Sequence, residues 1–105
     1  MASRYMRLKG YKLIARNVVS RFGELDIVGV KDGIICVVEV KTRNEKTEIS
    51  PMEAVDSAKR ERIESATKNY LSLTKTIGTV RFDVCEVFVD DNNLPTRINY
   101  IENAF

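Results

Sequence analysis

The chain has 105 residues, 44% of them hydrophobic and 30% charged, with a formal net charge of +2. That length fits one domain over residues 1–105, and the near-balanced charge excludes a whole-molecule field strong enough to draw in nucleic acid, so any basic surface must be local. There is no His, and the two cysteines form no cluster, which excludes zinc fingers and histidine-based catalysis. No apolar run is long enough to span a bilayer and no signal-peptide pattern opens the chain, so a cytoplasmic location is expected.

In chain order, residues 2–9 suit a short helix, which Gly10 would end. At about two turns it would be weak alone. Residues 11–15 read as a short strand ended by Arg16-Asn17, and residues 18–23 as a second strand segment or a loop. Residues 23–43, GELDIVGVKDGIICVVEVKTR, are the stretch around which the chain is organised. Two runs rich in Val and Ile flank Asp32-Gly33, a strong hairpin signal. With Asp32 and Gly33 as the turn, Lys31 faces Ile34, Asp26 faces Glu39 and Glu24 faces Lys41.

Side chains alternate along a strand, and opposed residues of an antiparallel pair share a side with Cβ atoms roughly 5 Å apart. Glu24, Asp26, Glu39 and Lys41 are thus expected to converge on one patch. Val28, Val30, Ile35 and Val37 continue that face toward the turn. Leu25, Ile27, Val38 and Val40 make the other face apolar, and strands apolar on both faces are covered on both. Three like charges so placed repel unless a cation intervenes. Lys41 would offset one, and a hard divalent cation the rest. With oxygen ligands alone, that cation is Mg²⁺, Mn²⁺ or Ca²⁺.

Residues 42–49 are polar and read as a surface loop. Ser50-Pro51-Met52-Glu53 has the form of a helix start with a capping box. Met52, Val55, Ala58 or Lys59, Ile63, Ala66, Tyr70 and Leu73 then keep helical spacing to about residue 73. Lys59, Arg60, Arg62 and Lys68 make this helix basic, and for Arg60 and Lys68 a solvated face interleaved with Glu61 and Glu64 is the simpler reading. Lys59 falls one turn after Val55, on the inward stripe, where it makes sense only near carboxylates. Residues 79–90 form a long strand, residues 91–95 a turn, and residues 97–101 a last strand. Cys36 and Cys85 lie in apolar strand contexts and read as small core residues in a reducing compartment. The order α-β-β-β-α-β-β describes an α/β fold with a mixed sheet flanked by helices.

The chemistry attached to Asp26 and Glu39-Val40-Lys41 is phosphodiester hydrolysis. Two carboxylates and the Val40 carbonyl can hold a divalent cation that acidifies a water, Glu24 can ligate through water, and Lys41 can orient the nucleophile or stabilise developing charge. Taken alone, E-x-K is a weak motif. The facing acids in otherwise apolar strands strengthen it, while a structural salt-bridge network remains the alternative.

These residues resemble a known set. Asp26 with Glu39-Val40-Lys41 on a hairpin between two helices resembles the PD-(D/E)xK nuclease superfamily. Gly10-Tyr11, Arg16-Asn17, Gly23-Glu24-Leu25-Asp26, Val38-Glu39-Val40-Lys41-Thr42-Arg43, Glu53-Ala54-Val55, Lys59, Arg81-Phe82-Asp83-Val84 and Asn103-Ala104-Phe105 resemble the YraN family, small bacterial proteins with a restriction-endonuclease-like fold akin to archaeal Holliday junction resolvases. The resemblance implies a Mg²⁺- or Mn²⁺-dependent DNA endonuclease, acting on branched or damaged DNA. Asp26 and Glu39 would be metal ligands and Lys41 the catalytic lysine, with Lys59, Arg43 and Arg62 set against nucleic acid. The resolvase likeness further implies a homodimer. Family members carry a Gly-Glu pair ahead of the Ala that begins the first helix, whereas here Met1 precedes Ala2. A nuclease fold that binds nucleic acid without cutting is therefore the second expectation, and a scaffold whose acids form ion pairs the third.

Overall fold

Asp32 and Gly33 both take left-handed backbone angles, φ 52° and 76°. That is the signature of the two-residue turn whose twist matches paired strands. In the computed structural model, which describes residues 1–46 and 57–105, Lys31 pairs with Ile34 across this turn and the register runs back to Ile27 opposite Val38. The elements are α1 (Ala2–Leu8), β1 (Lys12–Ser20), β2 (Gly23–Lys31), β3 (Ile34–Asn44), α2 (Ser57–Thr74), β4 (Thr79–Val89) and β5 (Pro95–Ile101). This is the α/β order expected from the sequence.

The strands lie side by side as β1-β2-β3-β4-β5. All neighbours are antiparallel except β3 and β4, which are parallel from Ile34–Thr79 to Asn44–Val89. A parallel pair needs a long crossover, and α2 lies within it.

Several boundaries differ from the sequence reading. β1 does not stop at Arg16-Asn17. Asn17 takes φ 50°, a conformation that Asn tolerates better than most residues, and the ladder with β2 runs through to Ser20–Gly23. A register shift between Leu13 and Ala15 breaks the alternation that would have announced one long strand. At the other end of the hairpin β3 continues through Asn44, so Thr42, Arg43 and Asn44 are strand, because β4 supplies partners for them. The expected helix start at Ser50 to Glu53, with Met52 and Val55, lies outside the described residues.

The sheet is covered on both faces. On one side Ala2 and Met6 of α1 pack with Tyr11, Ile27, Cys36, Val38, Cys85 and Val87. On the other, Ile63 and Ala66 of α2 pack with Leu25, Val28, Ile35 and Val37. Among the apolar residues the expected division of faces holds except at Leu25, which joins the α2 side beyond the point where β2 has left β3. A seven-residue helix is marginal by itself. What holds α1 is fully buried Met6, about 1.5–3 kcal/mol of hydrophobic stabilisation. Its Cε lies so close to β2 that a Cβ at Gly29 would stand 3.2 Å away. The Cys36 and Cys85 thiols are free and buried, and burial pushes both up to about 11.

One charged cluster anchors the α1 side. Asp83 is fully buried, yet both its oxygens are satisfied. Oδ1 accepts from Arg81 Nε (2.8 Å) and the Asn103 N–H (3.1 Å), and Oδ2 from Arg81 Nη2 (2.8 Å) and the Tyr100 hydroxyl (2.6 Å). Arg81 Nη2 also donates to the Tyr11 hydroxyl at 2.9 Å. Hydrogen bonding to Asp83 holds Arg81 firmly protonated, and burial, reinforced by the same carboxylate, raises the Tyr100 phenol far above its ordinary range. The cluster ties the end of α1 to β4, β5 and the C-terminal segment.

Candidate active site

The β2–β3 ladder ends at Ile27–Val38. One residue further the sequence register would place Asp26 against Glu39, and here the strands part. The Asp26 carboxylate replaces the missing backbone partner, its Oδ2 accepting the Val40 N–H at 2.8 Å. β3 meanwhile stays paired with β4, with Glu39 beside Val84 and Lys41 beside Glu86. The two acids therefore stand at a fork rather than in a closed ladder.

Glu39 points toward α2. Its side chain is 12% exposed, and Oε1 forms an ion pair with Lys59 Nζ. This is the inward lysine expected from the helical stripe. Glu39 Oε2 is buried and has no hydrogen-bond partner among the described residues. An unsatisfied charged oxygen removed from water is costly and rare. Glu39 lines a cavity of about 260 Å³ together with Glu24, Asp26, Lys59, Arg62 and Phe105. A second cavity, about 580 Å³, reaches Asp26 and Val40 together with Arg16 and Asn17.

The structure thus brings Glu24, Asp26, Glu39, Lys59 and Arg62 to one hollow. It does not bring three carboxylates into a ligand set: among the described residues, no three acidic or cysteine side chains group as a metal site. Glu24 is exposed at the free end of β2, paired across to Val19 of β1. The remaining donors fit a hard cation in kind, since they are oxygens only and Glu39 Oε2 is buried without a donor among the described residues. Lys41 is half-buried and in no ion pair among the described residues. Arg43, expected against nucleic acid, is engaged instead. Its Nε donates to buried Glu86 Oε2 at 2.7 Å, and Asn99 Nδ2 donates to the other oxygen at 3.0 Å.

Sequence reasoning gave Phe105 no role at the site. Its ring stacks on Phe82, centroids 5.2 Å apart, and the Ala104 N–H donates to the Phe82 carbonyl at 2.8 Å. No periodicity in the tail announces this. The Asn103 contact with Asp83 and the Phe82 stack together place the tail against the cavity.

Fold and fork together define an α/β protein whose mixed sheet opens at a pair of acids. The chain belongs to the uncharacterised protein family UPF0102, the YraN family, whose model matches residues 1–87. It is 42% identical to a UPF0102 protein of Syntrophomonas wolfei subsp. wolfei, over all of this chain and 90% of that one. It is 39% identical to UPF0102 proteins of Alkaliphilus metalliredigens, over 96% of this chain and 87% of the relative, and of Porphyromonas gingivalis, over 100% and 78%. No helix among the described residues is long and apolar enough to cross a membrane.

Proposed function

We propose that the protein is a divalent-metal-dependent endonuclease that hydrolyses DNA phosphodiesters. The observation that carries this reading is the buried, unsatisfied Oε2 of Glu39 at the fork where Asp26 leaves the ladder. Mg²⁺ or Mn²⁺, held by Asp26, Glu39 and the Val40 carbonyl, would supply Lewis acidity and an acidified water. The chain's own groups do the rest. Val40 fixes Asp26 by its N–H, which keeps one carboxylate oxygen oriented. Lys41 follows Glu39 by two residues on the same face of β3, from where its ammonium would orient a water or neutralise a phosphate oxygen. Arg62, exposed on the cavity rim, adds a phosphate contact.

The test is incubation with branched, duplex and single-stranded DNA. Cleavage is expected with Mn²⁺ and not with EDTA, and Asp26→Ala and Lys41→Ala are each expected to abolish it. No cleavage by the wild type, or undiminished cleavage by both variants, overturns the reading. Salt-dependent DNA binding that survives Asp26→Ala, without cleavage, would make the protein a binding module on a nuclease fold.

A further inference from the structure

We propose that Lys59 is the resident counter-ion of Glu39 and competes with the divalent cation for it, so that metal entry and release of Lys59 are one event. This rests on the metal-dependent reading of the site and adds a device that sets its affinity. Glu39 is nearly buried, and withdrawing a carboxylate from water is costly unless a cation faces it. The cation comes from a different element, α2, and its ion pair with Glu39 is made at Oε1. Oε2 is buried with no hydrogen-bond partner among the described residues, and Glu39 lines the same cavity as Asp26.

The choice of lysine matters here. Its ammonium is a point charge that can hold one oxygen and leave the other open, whereas a guanidinium grips both oxygens of a carboxylate at once. The Lys59 side chain is also 41% exposed on a flexible stem, so it can swing toward solvent without unpacking α2. Two cations on one carboxylate repel, so each weakens the other's binding by the same factor.

The experiment is a Mn²⁺ titration of the full chain, reading free Mn²⁺ by electron paramagnetic resonance, with no substrate present. Lys59→Met keeps the stem and removes the charge, and it should tighten Mn²⁺ binding at least about fivefold. Lys59→Arg should weaken binding, because the fork closes over both oxygens. Equal affinity in wild type and Lys59→Met, or tightening in Lys59→Arg, overturns the inference while leaving the metal reading in place. If Lys59→Met does not fold, Lys59→Arg alone decides by the sign of its shift. No Mn²⁺ binding by wild type or Lys59→Met overturns both the metal reading and this inference.

Discussion

Asp83 and Glu39 are acids on adjacent central strands, and both are withdrawn from water. They differ in what has been done for them. Asp83 receives four donors on its two oxygens, bidentate from Arg81 and singly from Tyr100 and Asn103. Glu39 receives one ammonium on one oxygen and nothing on the other among the described residues. A saturated buried charge has no capacity left for a ligand, and its work is to hold elements together. An unsaturated one beside a cavity retains that capacity, and a purely structural network would have little reason to leave it so.

The contrast can be broken by substitution. Asp83→Ala removes the bidentate partner of part-buried Arg81, leaving it Glu102 and the Tyr11 hydroxyl, and should cost about 3 kcal/mol in urea unfolding, with Tyr100→Phe losing only about 1 kcal/mol. Glu39→Gln keeps the side-chain volume and should move stability by no more than about 1 kcal/mol in either direction, because its Lys59 partner is half exposed. That same variant should lose the rise in melting temperature that Mn²⁺ gives the wild type. Were Glu39→Gln as damaging as Asp83→Ala, the two acids would have the same role and the contrast would fail.

A smaller effect sharpens the picture of the α1-side core, where Cys36 and Cys85 sit. Folding raises both thiols from an ordinary 9.0 to about 11, through burial first. The folded state thus favours the neutral thiol. That contribution is complete below about pH 9 and is lost as pH rises through about 11. The urea midpoint of the wild type should fall more steeply between those values than that of a Cys36→Ala, Cys85→Ala double variant.

Much of the fold was legible in the residues. Asp32-Gly33 set the hairpin register, and the Val and Ile alternation put Val28, Val30, Ile35 and Val37 on one face, which α2 covers. One lysine at an inward helical position announced the Glu39 pair. The fork was not legible, because register counting assumes a ladder that continues, and Asp26 ends it by taking a backbone N–H. Nor was the Asp83 cluster. Arg81 and Asp83 alternate with Val80, Phe82 and Val84 as solvent-facing residues would, and only partners distant in the chain, Tyr11, Tyr100 and Asn103, reveal that they face inward. Arg43 misled for a similar reason, since Glu86 lies far along the sequence and beside it in the sheet.

The parallel seam between β3 and β4 distributes the cost of closing the chain unevenly. The antiparallel neighbours meet across turns of a few residues, where little loop entropy is lost. Ile34 reaches Thr79 only across the whole α2 connection, the longest closure in the sheet. Glu39 and Lys41 stand on that seam, so the acid and the amine acquire their neighbours through the least local pairing the molecule makes.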